Sequence, residues 1–210
     1  MRTPRIRTTA MATLLTVIAA GAAYAASVPE TAPRIALAEV SRLTLKGKST
    51  MHAYASTATR LQLAVELADA LPAGDSTLAR LAAPGAVKSI VLTIPVEGLK
   101  SDKEGLDKNM YKALKASANP NIVFRVRSAS PGAAAREFRV EGELEVAGRT
   151  RPIELVVRAS ECPEGIAIEG STALLMTNFG IKPPSMFLGT LKTNDEVVID
   201  WRLVLAHNGF

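Results

Sequence analysis

His52, His207 and Cys162 are the side chains in this 210-residue sequence best suited to metal binding or nucleophilic chemistry. Neither histidine has a second ligand at metal spacing, and two histidines without a carboxylate motif are a poor basis for a zinc site. Cys162 lies in the turn-like run ASECPEG, where a lone cysteine is more often incidental than nucleophilic. The sequence contains no G-x-S-x-G elbow, no H-E-x-x-H, no paired C-x-x-C and no phosphate-binding loop. Glu141, Glu143 and Glu145 recur at every second position, as a solvated strand face does. Asp102, Glu104 and Asp107 suit the positive end of a helix. A lipid-directed enzyme would need a nucleophile or acid–base pair pointing inward, and only His52 offers itself for that test. The expected answer is therefore no enzyme, no metal and no cofactor, and the chemistry left over is that of apolar surface.

The elements that must carry that surface are strands. Period-two alternation marks half-buried strands, and it appears at Leu43, Leu45 and Gly47, at Leu61, Leu63, Val65 and Leu67, at Ile90 to Val96, and at Ile122, Phe124 and Val126. EFRVEGELEV is the clearest case: Phe138, Val140, Leu144 and Val146 share one face and the charges share the other. Gly142 takes an inward position there, allowing a bend or a close approach by a neighbour. Ile153 to Val157, Ile166 and Ile168, and Val197 to Leu205 complete eight strands. One segment has the helical period. SDKEGLDKNMYKALKAS opens with Ser101 and Glu104 at capping-box spacing, carries Leu106, Met110, Ala113 and Leu114 on one face, and stops before Asn119-Pro120.

Fold class follows from that inventory: mainly β, an eight-stranded antiparallel barrel or a sandwich, with one short amphipathic helix. Closure into a barrel removes the exposed strand edges, and eight strands enclose about enough room for one small ligand. Alternation does not separate a side-chain-filled core from a cavity. MTNFGIKPPSMF, between the seventh and eighth strands, breaks the pattern. Pro183-Pro184 is expected to prevent further pairing there, with Phe179, Met186 and Phe187 facing inward over the barrel mouth or sealing the core.

Residues 1–25 read as a secretory signal peptide, with Arg2, Arg5 and Arg7 before an apolar run and Ala23-Tyr24-Ala25 at the cleavage point. Residues 26–36 read as a flexible leader and 37–210 as the barrel domain. The apolar run is too short for a spanning helix, so stable membrane insertion is not expected. The whole chain carries a net charge of +5; without the signal's three arginines, 22 of its 25 basic residues remain against 20 acidic ones, about +2. That is not the footprint of a nucleic-acid binder. A single cysteine permits no internal disulfide despite the export signal, and the periplasm is the expected location.

Several runs taken in order, KGKSTMHAY, LTIPVEGLKSDKEGLDKNMYKALKASANPNIVFRV, EGELEVAGRTRPIELVVRA, TNFGIKPP and DEVVIDWRLVL, resemble the YceI-like family of secreted bacterial proteins. The resemblance runs from about Ser41 to Ala206. It implies a lipocalin-like eight-stranded antiparallel barrel enclosing a long apolar molecule, a polyisoprenoid or a related amphiphile such as an isoprenoid quinone. Phe124 and Phe179-Gly180 fall on the family's aromatic and Phe-Gly positions, while Met110 and Leu114 match its helix positions. Glu104-Gly105 stands where many members carry Arg-Asp, and Asn178 where many carry an acid. The expected ligand lining is Leu63, Leu92, Ile94, Phe124, Phe138, Leu155 and Trp201, with Met110, Phe179, Met186 and Phe187 near an opening. The expected function is a periplasmic protein that holds such an amphiphile for storage or transfer; a filled, stress-related interaction protein without lipid cargo is the alternative. A homodimer is left open.

Overall fold

The computed structural model describes residues 34–68, 73–74, 76–186 and 191–208. The expected signal peptide and most of the expected leader lie outside them. Twelve strands form one antiparallel sheet: β1 (Arg34–Leu37), β2 (Arg42–Ser49), β3 (Ala53–Ala58), β4 (Gln62–Leu67), β5 (Val87–Pro95), β6 (Leu99–Lys100), β7 (Asn121–Pro131), β8 (Glu137–Val146), β9 (Arg149–Cys162), β10 (Gly165–Leu175), β11 (Ser185–Met186) and β12 (Leu191–Asn208). Helix α1 (Thr77–Ala82) joins β4 to β5, and α2 (Glu104–Ala113) joins β6 to β7. Arg34, Ile35 and Ala36 belong to β1, so the last three residues of the expected leader are part of the sheet.

The neighbour order is β4-β5-β7-β8-β9-β10-β12-β2-β3-β6, with β1 and β11 both on β12. The register merges eleven of the twelve segments into eight staves, with the two-residue β11 added on β12. β1 and β2 both pair with β12 in one direction, Leu37 opposite Leu205 and Arg42 opposite Arg202, so they are one strand kinked at residues 38–41. β3 and β4 are likewise two halves of a bent strand, because Ala58 faces Leu99 of β6 while Gln62 faces Thr93 of β5. Thr59 stitches that bend to the facing stave, donating both its amide and its hydroxyl to the Gly98 carbonyl at 2.8 Å. The stave β3–β4 thus bonds to β2 on one side and to β5–β6 on the other, and the sheet closes. The barrel is the expected eight-stranded, lipocalin-like one.

Local chemistry explains the individual staves. The outer face of β7–β8 is an ion-pair ladder, with Arg125 on Glu145 at 3.1 Å and Arg127 on Glu143 at 2.7 Å, so the glutamates that alternate in the sequence meet arginines across the strand. The β8–β9 hairpin turns on Ala147 and Gly148, both at positive φ, as a two-residue hairpin requires.

Two expectations are corrected. The capping box does not form: α2 starts after Lys103 with no side-chain cap. Ser101 instead gives its amide and its hydroxyl to Oδ1 of Asp107, at 2.8 and 2.7 Å, and Asp107 is buried. A carboxylate with two local donors can leave water, and Asp107 takes the role assigned to Glu104. The second concerns Pro183-Pro184, which do not end sheet pairing. The Pro184 carbonyl accepts from the Thr193 amide, and β11 then pairs Ser185 with Lys192. Proline forfeits only its own amide, so the next residue rejoins the ladder. Helix α1 is a second helix beyond the one that the helical period predicts.

Candidate functional site

The described residues line one large cavity of about 1960 Å³ inside the barrel. A cavity that size is about twice the upper end of ordinary small-molecule pockets, so this core is not filled by its own side chains. Leu63 on β4, Leu92 and Ile94 on β5, Phe124 on β7, Phe138 on β8, Leu155 on β9 and Trp201 on β12 all border it. So do Met110 of α2 and Phe179. The structure brings these nine together. Met186 contributes its backbone to β11, but its side chain and the whole of Phe187 lie outside the described residues.

Three interior aromatics each lean onto a glycine of a neighbouring strand. Tyr54 on β3 lies over Gly47 of β2, Phe124 over Gly142 of β8, and Trp201 over Gly170 of β10; a Cβ at any of these glycines would strike the ring. Each glycine gives its neighbour a recess in which to lie along the wall rather than across it. Gly142, expected to permit either a bend or a close approach, does both: the register slips between Val126 and Ser128 directly opposite it.

The two ends are closed differently. At the end where β6 leads into β7, α2 packs on β6, and Leu114, Phe179 and Ile181 are buried beside the cavity. Phe179 ends the 3-10 turn Met176–Phe179, which Gly180 terminates at φ +65°. Tyr111 fixes α2 from the side, donating its hydroxyl to the Leu99 carbonyl at 2.7 Å beneath the Lys100 ammonium. Met51 and Leu106 border the cavity and are exposed. At the other end α1 reaches β9 on the far wall, and Leu78 and Leu81 face the cavity although no residue of α1 is buried.

Of the residues first considered for chemistry, His207 has its side chain outside the described residues. His52 is exposed in the β2–β3 turn at the cavity rim, where its carbonyl accepts from Ser49. Cys162 ends β9 as a free thiol. Among the described residues no three His, Cys, Asp or Glu side chains come together to hold a metal ion.

Residues 48–205 match the YceI-like domain. The chain belongs to the YceI-like family. Solved structures with this fold include Burkholderia cenocepacia BcnA, at 15% identity and TM-score 0.60, covering 78% of this chain and 95% of that one. A polyisoprenoid binding domain from Saccharophagus degradans, implicated in plant cell wall breakdown, shares 11% identity at TM-score 0.61 over 84% of this chain and all of its own. The Campylobacter jejuni YceI protein shares 13% at TM-score 0.54, over 74% and 85% respectively. Identities this low speak for the fold alone. No curated protein matches the chain. In this YceI-like barrel, sequence patterning missed Tyr54, Ser56 and the α1 leucines. AYASTA is too small and polar to read as a strand, although Tyr54, Ser56 and Ala58 do alternate inward; Ser76 before Leu78 and Leu81 was the available sign of α1.

Proposed function

We propose that this protein binds an elongated apolar amphiphile, a polyisoprenoid, isoprenoid quinone or fatty-chain lipid, inside the barrel and carries it through an aqueous compartment. The observation that carries this reading is the cavity of about 1960 Å³ lined mainly by Leu, Ile, Val and Phe. Burying a chain there yields roughly 25 cal/mol per Å² of apolar surface, without any polar contact. The polyisoprenoid binding domain of Saccharophagus degradans has the same fold, which supports the choice of cargo. The signal-like first 25 residues support export to the periplasm. The role is binding and not catalysis, with Leu63, Leu92, Ile94, Phe124, Phe138, Leu155 and Trp201 as the lining and Met110, Phe179, Met186 and Phe187 near an opening.

Gentle purification followed by mass spectrometry of the organic extract tests this. A stoichiometric long-chain amphiphile is expected. An extract without one, from protein that also takes up no added prenyl lipid, would leave the filled-barrel interaction role as the better account.

A further inference from the structure

The two ends of the barrel also differ in what they show to solvent. Among the described residues the exposed large apolar side chains are Val40, Met51, Leu106, Val156 and Leu175. Met51, Leu106 and Leu175 border the cavity as well, and Val40 and Val156 do not. The register puts the first three at one end. Thr57 and Ala58 of β3 face Lys100 and Leu99 of β6, so beyond Lys100 the chain runs toward the start of β3 and the turn that carries Met51. Leu106 follows there, in the first turn of α2. Leu175 faces Glu196 of β12, next to Val197, which faces Gly47 of β2 near that same turn. Exposed apolar side chains scattered singly need no explanation, but these three stand where the apolar lumen reaches the surface.

The charge around them is lopsided. Glu104 is held by Lys108 at 3.1 Å, Asp107 by Ser101 and Asp195 by Thr177. That leaves the exposed acids Glu97, Asp102 and Glu196 against the exposed lysines Lys48, Lys103, Lys112, Lys115, Lys182 and Lys192. Lys48 and Lys103 themselves border the cavity, as Met51 and Leu106 do. An apolar rim set among cations fits a surface that is anionic at its face and hydrocarbon beneath, which is a bilayer containing acidic lipid. A protein partner could bury the same side chains, but it offers no hydrocarbon phase for the lumen to open into. We infer that the α2 end is a peripheral docking surface for an anionic bilayer, with Met51, Leu106 and Leu175 dipping among the acyl chains and the lysines lying at the phosphates. The inference rests on the carrier reading above, since docking at this end lets a lipid pass between acyl chains and lumen without crossing water. Attachment by so few side chains is reversible, unlike insertion of a spanning helix.

Protein recovered from the periplasm of an expressing bacterium is mixed with vesicles of phosphatidylcholine, with or without phosphatidylglycerol, and the bound fraction is read by sedimentation. Binding should favour the anionic vesicles and weaken as salt is raised. Met51→Ser with Leu106→Ser should lower the affinity roughly tenfold. Lys48→Gln with Lys103→Gln should lower it by roughly the same factor on anionic vesicles and leave binding to phosphatidylcholine alone unchanged. All four side chains are exposed, so both double variants should keep the wild-type Tm. Val40→Ser, at an exposed position away from the cavity, should change nothing. Wild-type affinity in both double variants, or an equal loss in Val40→Ser, would overturn the docking surface. So would a wild-type protein that binds neither kind of vesicle, which would give the rim to a protein partner instead. In each of these cases a lipid found in the organic extract would leave the carrier reading standing without the docking surface.

Discussion

The α2 end and the α1 end of the barrel close the same lumen with different means. Around α2, an internal carboxylate, a tyrosine hydroxyl and three buried apolar side chains hold the closure in place. Around α1 there are six helical residues, none of them buried, and one N-cap, Ser76, accepting from the Ala79 amide at 3.2 Å. Local stability varies across a structure with the number of such contacts. The contrast teaches that α2 is tied into the barrel's own core, whereas α1 has no buried residue and borders the lumen through Leu78 and Leu81.

The sharpest break in this comparison would come from Phe179. Phe179→Ala should cost about 3 kcal/mol in urea unfolding, whereas Leu81→Ala on α1 should cost under about 1 kcal/mol; comparable losses would erase the distinction. Asp107→Ala comes next, at about 2 kcal/mol, since it strips the Ser101 amide of its acceptor. Asp107→Asn should recover part of that loss because its amide oxygen can still accept, and no recovery would mean that the charge matters more than the bond. Ser76→Ala should cost α1 about 1 kcal/mol locally, visible as faster hydrogen exchange at the Ala79 amide with an unchanged global Tm. A shifted Tm would tie α1 to the core after all.

The smallest effect expected lies on the outer wall, away from both ends. Lys46, and then Ser171, hold the Asp200 carboxyl below its ordinary value of 3.8 by hydrogen bonding. A depressed acid contributes stability above that value and loses it as pH falls through the folded-state value. The pair is solvated, so Asp200→Asn should cost no more than about 0.5 kcal/mol at pH 7, and the difference in Tm should vanish once acidification has carried the solution below the depressed folded-state value. A difference that persists in acid would point to packing instead of charge.

Particular residues show how far patterning reaches. The eight staves were legible because Phe138, Val140, Leu144 and Val146 repeat at the strand period while Arg139 and Glu141 answer on the other face. The first half of the second stave was not legible, since Ala53 to Ala58 carries hardly any large apolar residue to set a period. Asp107 looked like a helix-start charge because no local rule shows that Ser101 folds back onto it. The seven strand positions expected in the lining all border the cavity, for alternation fixes a face once the strand is identified. Side-chain positions for Met186 and Phe187 fall outside the described residues.

By itself the sequence determined which side of each strand is apolar and, through the ordered runs from KGKSTMHAY to DEVVIDWRLVL, the barrel they build. Both are local properties, carried by residues a few positions apart. The tertiary structure decided that the barrel is hollow, because inward faces become a lumen or a filled core only when the staves close around them, and it brought the rings of Tyr54, Phe124 and Trp201 onto Gly47, Gly142 and Gly170 of neighbouring strands. It also decided where the interior is polar: Tyr54 and Ser56 face the lumen because β3 registers them opposite Gly47 and Leu45 of β2. Long-range pairing sets such contacts, and no spacing along the chain encodes them.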